Sequence, residues 1–173
     1  MQTKKELVLS QEQIAKRVQE LGAQITKDYQ GRAPVFIGIL KGSFIFLADL
    51  VRQVDLPLKI DFVRLASYGD KDYSDGNVQL VKDIELPIEG EDVIIVEDIV
   101  DIGYTLAFLV EHLKKKRPAS LKICVFIDKR ERRRVEVKLD YVGFEASGFL
   151  VGYGLDFSEQ YRHLPAVYRL IKK

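Results

Sequence analysis

One cysteine, two histidines, a nearly cancelled net charge and the lack of any long apolar run already exclude several kinds of protein. Cys124 has no partner in the chain, so no internal disulfide forms. Its setting in Ile123-Cys124-Val125-Phe126-Ile127 is that of a small buried hydrophobe in a reducing compartment, not of a metal ligand or nucleophile. His112 stands in a lysine-rich segment and His163 beside Arg162; neither has metal-ligand spacing, so both are assigned surface or structural roles. Twenty-seven basic against 26 acidic side chains leave a net charge of +1. No global field therefore draws the chain to nucleic acid or to an anionic membrane, and any anionic ligand has to be held locally. No apolar run approaches the roughly 20 residues that span a bilayer, and the opening Met-Gln-Thr-Lys-Lys-Glu lacks the apolar stretch of a signal peptide. A cytoplasmic protein with no membrane partner is expected. Internal repeats and low-complexity segments are absent as well.

What is present suits one domain. A chain of 173 residues with 47% hydrophobic content falls in the range where folding buries roughly 70% of the unfolded surface. Ser10 and Gln13 form a capping-box pattern, and Ile14, Val18, Leu21 and Ile25 recur at helical spacing, which predicts an amphipathic first helix. Pro34 to Leu40 is a short, continuously apolar run expected to be a strand buried on both faces. A helix from Phe44 to Gln53, strands over Leu58–Leu65 and Val93–Val96, a helix after Gly103 and a strand over Ser120–Ile127 follow. This alternation predicts an α/β fold with a parallel sheet wrapped on both sides, whose ligands gather outside the carboxyl ends of the strands. Ser67 to Gly76 is polar and turn-rich, as expected of a long mobile loop. The short aromatic strands Tyr141–Phe144 and Phe149–Tyr153 are read as a small cap apart from the parallel sheet.

The densest chemistry lies where Val93–Val96 empties into Glu97, Asp98 and Asp101, followed by Gly103 and Thr105. Carboxylates in such a place bind sugar hydroxyls or a hard cation such as Mg²⁺, while the first N–H groups of the next helix cradle a phosphate. An isolated acidic pair would more simply cap a helix. Here the carboxylates follow a fully apolar strand and lead straight into a glycine turn.

The segment Val96-Glu97-Asp98-Ile99-Val100-Asp101-Ile102-Gly103-Tyr104-Thr105 resembles the phosphoribosyl diphosphate (PRPP) motif of the type I phosphoribosyltransferases, and its Val-Glu-Asp-Ile form resembles their hypoxanthine-guanine branch. Three more segments match in order. Leu40-Lys41-Gly42-Ser43 resembles the diphosphate loop and Ser67-Tyr68 opens a stretch like the flexible catalytic loop. Val151-Gly152-Tyr153-Gly154-Leu155-Asp156-Phe157 through Tyr161-Arg162 resembles the branch's C-terminal signature. The likeness implies a twisted, mainly parallel sheet flanked by helices and topped by a small hood. Residues 1–173 would form one domain, with its core at about 30–130 and its hood built from the N-terminal segment and about 135–173. It also implies transfer of phosphoribose from PRPP to hypoxanthine or guanine with Mg²⁺, giving IMP or GMP, in a homodimer or homotetramer.

The same resemblance implies a role for each matched residue. Glu97 and Asp98 contact the ribose hydroxyls directly or through Mg²⁺, and Asp101 exchanges a proton at purine N7. The N–H groups from Ile102 through Gly103 and Tyr104 to Thr105, with the Thr105 hydroxyl, grip the 5′-phosphate. Lys41 and Gly42 hold the diphosphate through backbone donors, and in the family the peptide before Lys41 can adopt the cis form. Ser67 and Tyr68 begin a lid that excludes water, with Tyr68 over the diphosphate. Asp156 holds a second Mg²⁺, and Arg162 neutralises the leaving group. Lys129 donates to the 6-oxo group, Phe149 stacks on the base, and the backbone of Leu150 and Val151, with Asp156 nearby, meets its other edge.

Other charged runs take plainer readings. Lys114–Arg117 closes a helix, where cations favour the negative end of the dipole. Arg130–Arg134 directly follows Lys129 and is the support for one alternative, a PRPP-sensing regulator that binds nucleic acid; the balanced charge argues against it. A second alternative is a transferase preferring xanthine.

The resemblance departs at Ile102, where the family usually presents threonine or serine. Ile102 offers its N–H to the 5′-phosphate but no hydroxyl, a loss of about 1.5–3 kcal/mol if nothing replaces it. Ile102→Thr is therefore expected to lower the Michaelis constant for PRPP; an unchanged constant means that water or another donor already fills the gap.

Overall fold

A computed structural model describes residues 4–67 and 78–171. The chain runs through β1 (Lys4–Leu9), α1 (Gln11–Asp28), β2 (Val35–Leu40), α2 (Phe44–Val51), β3 (Lys59–Ser67) and β4 (Val78–Lys82). It continues as β5 (Asp92–Val100), α3 (Tyr104–Lys114), β6 (Ser120–Asp128), β7 (Tyr141–Glu145), β8 (Leu150–Val151) and β9 (Val167–Ile171). The expected capping box is present: Gln13 N–H donates to Ser10 Oγ at 3.2 Å and Ser10 N–H to Gln13 Oε1 at 2.8 Å. From that start Ile14, Val18, Leu21 and Ile25 all turn inward. No helix among the described residues is long and apolar enough to cross a membrane.

Among the described residues a six-stranded sheet has the order β4-β3-β2-β5-β6-β7, parallel except for β4. Alternate side chains of the central strands feed two cores. Phe36, Ile94, Val96, Cys124 and Phe126 pack with α1 and α2, whereas Val35, Ile37, Val93, Ile95 and Val125 pack with α3. Strands buried on both faces need continuous apolar sequence, which is why β2 and the first part of β5 show no alternation. Cys124 is fully buried and its thiol is pushed up by that burial, as its apolar context implied.

Three features differ from the sequence reading. β5 extends to Val100, so Glu97 and Asp98 belong to the strand. The cause is β6, which continues to pair with β5 as far as Val100↔Asp128 after the pairing with β2 has stopped at Gly38↔Val96. Tyr141–Glu145 joins the main sheet as β7 instead of the cap. Its Tyr141 hydroxyl donates to Asp28 at 2.7 Å, and the Arg17 guanidinium caps the Val142 and Gly143 carbonyls at 2.7 and 2.9 Å. An edge strand so anchored and capped is also shielded from pairing elsewhere. β4, which was not anticipated, returns antiparallel along β3. The hood is a separate sheet of order β1-β9-β8, drawing on residues from both ends of the chain.

The return from β4 is secured by Asp61 of β3. Its buried carboxylate accepts from Phe62 N–H at 2.7 Å, Glu85 N–H at 2.7 Å and Leu86 N–H at 2.8 Å. Burial opposes ionisation, yet the three donors and the nearby Lys82 outweigh it and hold the carboxyl below its ordinary value of 3.8. A group whose folded pKa is depressed stabilises the fold above its unfolded value and loses that contribution as pH falls through the folded one. Asp61→Asn turns an amide N–H₂ toward backbone donors, so at neutral pH it should cost about 1–3 kcal/mol in urea titrations. The gap between variant and parent should narrow as pH falls below the ordinary carboxyl value of 3.8 and through the depressed folded one; a gap independent of pH overturns the ionised-acceptor reading.

Candidate functional site

Because β2→β3 and β5→β6 cross over on opposite faces of the sheet, the strand order switches direction between β2 and β5. Open α/β sheets form their ligand crevice at such a point, outside the carboxyl ends of the strands. A cavity of about 470 Å³ lies there, between Leu40 and Gly42 after β2, residues 97–106 at the end of β5 and the start of α3, Lys129 after β6, and the hood.

On one wall two carboxylates stand together. Asp98 N–H donates to Glu97 Oε1 at 3.0 Å, and Ile99 N–H donates to Asp98 Oδ1 at 2.8 Å. Burial, then the charge of Asp98, pushes the Glu97 carboxyl well above its ordinary range. Burial raises Asp98 too, against the pull of its hydrogen bonds and of Arg162. Two acids so placed do not both stay ionised without a counter-charge, so the pair is poised to exchange a proton for a cation. Gly42 lies flat against Asp98; a Cβ there would fall on the carboxylate.

The next wall is the turn into α3. Gly103 has φ of +103°, in the left-handed region, and a Cβ on it would strike the Val135 carbonyl. The chain can then start α3 at Tyr104, whose first-turn N–H groups have no intrahelical acceptor. Ile102, Gly103, Tyr104 and Thr105 all border the cavity.

Asp101 joins this wall to the next. Its Oδ2 faces Lys129 Nζ and Arg132 Nη1, each at 3.5 Å, while its Oδ1 is buried without a protein partner. Lys129, with a side chain only 10% exposed, also faces Glu131 at 3.2 Å, and Glu131 accepts from Gly148 N–H at 3.0 Å. A chain of charges thus connects the end of β5 to the hood turn that carries Phe149. Phe149 is 51% exposed, borders the cavity, and meets Phe157 edge to face at 5.5 Å between centroids.

On the hood side Arg162 donates to the Gly154 carbonyl at 2.7 Å and pairs with Asp156 at 3.1 Å and Glu159 at 3.2 Å. Its Nε is buried with no partner in the protein. Asp156 also accepts from Glu159 N–H at 2.9 Å. Lys41 reaches Glu159 at 2.7 Å, and the Leu40–Lys41 peptide is cis, the form implied by the resemblance.

The fold therefore gathers Gly42, Glu97, Asp98, Asp101–Thr105, Lys129, Phe149, Leu150, Asp156 and Arg162 around one cavity. Two expected residues do not border this cavity: Lys41, expected to act through its backbone, whose ammonium is engaged by Glu159, and Val151, fully buried in β8 and paired with Tyr168. Ser67 ends β3, whereas Tyr68 and the rest of the expected lid to Gly76 lie outside the described residues. Glu131, Arg132 and Arg133 make contacts within the site that the sequence reading missed. One signal was available: Asp128 closes an apolar strand, and a buried carboxylate there requires a cationic partner close by.

Comparison with known proteins identifies the family of the chain. Residues 6–158 match the family described as phosphoribosyl transferase domain. The chain is 47% identical over 167 residues to the hypoxanthine-guanine phosphoribosyltransferase of Aquifex aeolicus, covering 95% of this chain and 94% of that one. It is 44% identical over 162 residues to the Bacillus subtilis protein of the same name, covering 93% and 90%. Among solved structures, a hypoxanthine-guanine phosphoribosyltransferase from Bacillus anthracis superposes with a TM-score of 0.93 at 44% identity, covering 99% of this chain and all of that one.

The contact of Gly42 with Asp98 is directly testable. Gly42→Ala should cost about 1–3 kcal/mol in a denaturant titration, as overpacking does, and should turn the Asp98 carboxylate aside in a crystal structure. A variant as stable as its parent, with Asp98 unmoved, overturns the need for close approach.

Proposed function

The chain belongs to the phosphoribosyl transferase family, and from that premise we propose that it moves the 5-phosphoribosyl group of PRPP to N9 of hypoxanthine or guanine, giving IMP or GMP and diphosphate. One observation carries the assignment of roles: a single wall holds a buried carboxylate oxygen with no protein partner, Asp101 Oδ1, beside a buried ammonium, Lys129. A 6-oxopurine presents a matching pair, a proton at N7 and an oxygen at position 6. Lys129 has three N–H donors and two carboxylate neighbours, which leaves one donor for the oxygen. The amino group of adenine would set donor against donor there, so 6-oxopurines are preferred.

Each remaining step uses groups already in place. N9 attacks C1 of the ribose as the C1–oxygen bond to diphosphate breaks, and Asp101 Oδ1 takes the N7 proton. The open Phe149 ring stacks on the base, and the backbone beside Leu150 meets its far edge. Free N–H groups from Ile102 to Thr105 hold the 5′-phosphate at the positive end of α3. The unpartnered Nε of Arg162 points to a role on the departing diphosphate.

Glu97 and Asp98 suit Mg²⁺. No three acidic, histidine or cysteine side chains converge as a metal cage among the described residues. Mg²⁺ commonly takes one or two carboxylates and completes its shell with water and substrate phosphates. When bound, it would supply a direct counter-charge to this pair, which no cation of the protein contacts, and would neutralise diphosphate oxygens; Asp156 is the candidate for a second ion. The expected homodimer or homotetramer has its support in Phe44, left 45% exposed at the start of α2.

The nucleic-acid regulator loses its main support, because Arg130, Arg132 and Arg133 all pair with carboxylates of this chain. Supplying PRPP, Mg²⁺ and one of hypoxanthine, guanine, xanthine or adenine should yield nucleotide and diphosphate with the first two. Dominant turnover of xanthine would favour the xanthine alternative. Asp101→Asn should lower kcat by about two to four orders of magnitude while IMP still binds. No turnover with any base, together with tight binding to RNA or DNA, would sink the transferase reading.

A further inference from the structure

The three consecutive carbonyls at the end of β5 all point into one segment. Val100 O accepts from Lys129 N–H at 3.0 Å and from Arg133 Nη2 at 3.1 Å. Asp101 O accepts from Arg133 Nε at 2.8 Å, and Ile102 O accepts from both Arg134 and Val135 N–H at 3.0 Å. In a trans peptide the N–H of one residue points opposite to the carbonyl of the residue before it. Turning carbonyls 100–102 into the 129–135 segment therefore turns the N–H groups of Asp101, Ile102 and Gly103 the other way, toward the cavity.

Of these donors only Arg133 acts through its side chain, and that side chain is only 7% exposed. A buried guanidinium requires a buried partner. Asp128, 1% exposed, provides it, with Oδ1 at 2.5 Å from Arg133 Nη2 and Oδ2 accepting from Arg130 Nε at 2.8 Å. The planar fork of Arg133 thus spans three acceptors: Asp128 on one side and the Val100 and Asp101 carbonyls on the other. A lysine could keep the charge but not this geometry, since its ammonium is a point donor.

We propose that Arg133, held by Asp128, is a positioning residue that orients the backbone N–H cradle for the 5′-phosphate. The proposal rests on the transferase reading for the identity of that phosphate. Arg133 borders no substrate in the scheme above and acts through the loop it grips. It also accounts for the charge run after Lys129: part of that run is internal scaffolding for the phosphate loop.

Arg133→Lys tests this without emptying the charge beside Asp128, and Arg130→Ala is the control, because Arg130 touches Asp128 but no loop carbonyl. Arg133→Lys should weaken IMP binding by calorimetry, and raise the Michaelis constant for PRPP, about ten- to a hundredfold. The constant for hypoxanthine should change by less than about threefold, and Arg130→Ala should leave all three near parental values. A purely structural role predicts a lower melting temperature with both Michaelis constants unmoved, or both raised together; either result overturns the proposal. Parent protein that binds IMP without turning over any base, with that binding lost in Arg133→Lys, overturns the transferase reading and supports the cradle. Normal turnover with unchanged IMP affinity in Arg133→Lys does the reverse.

Discussion

The site depends on the parting of two strands. β2 and β5 are hydrogen-bonded only as far as Gly38↔Val96; beyond that β2 stays with β3 and β5 stays with β6. The wedge opened between them is where Gly42 meets Asp98 and where the turn into α3 faces the hood. A parallel sheet with crossovers on opposite faces has to open at this place. The apolar sequences of β2 and β5 hold the strands together below it and supply a rigid base for the polar groups above.

Charge is handled in and behind this wedge in two contrasting ways. Asp128 and Arg133 are buried as a matched pair whose remaining hydrogen-bonding capacity is spent on backbone carbonyls, so the pair is complete without a ligand. Glu97, which is buried, and Asp98, which is half-buried, stand together with no such match, and both carboxyls are pushed up, first by desolvation. Asp101 lies between these extremes, with one oxygen facing cations and the other without a partner. Completed pairs belong to the scaffold, whereas unfinished ones mark where a ligand is to supply what is missing.

Much of this was legible in the chain. The capping box at Ser10 and Gln13, the inward stripe of α1 and the alternation of strands with helices follow from local rules that tertiary contacts reinforce. Glu97, Asp98 and Asp101 stood out because carboxylates after an apolar strand have few structural uses. The errors have physical causes of their own. Tyr141–Glu145 looked like a cap strand because a five-residue strand carries no mark of the sheet it joins; its place is decided by Asp28 and Arg17, more than 100 residues away. In the sequence the run from Arg130 to Arg134 reads as the support for a nucleic-acid-binding alternative, because the Val100 and Asp101 groups it meets lie about 30 residues back in the chain.

The α/β class, the apolar strands, the acidic turn and its likeness to a PRPP motif are each written in residues close together along the chain. Tertiary structure alone decided that the acidic turn, Lys129 and the hood residues Phe149, Asp156 and Arg162 line one cavity. It alone decided which oxygen of Asp101 stays unpartnered and which arginine grips the loop behind it. Hydrogen bonds and desolvation depend on distances of a few ångströms between groups far apart in the chain. The acidic turn is local enough to read directly; the clamp that orients it exists only once β5 and β6 lie side by side.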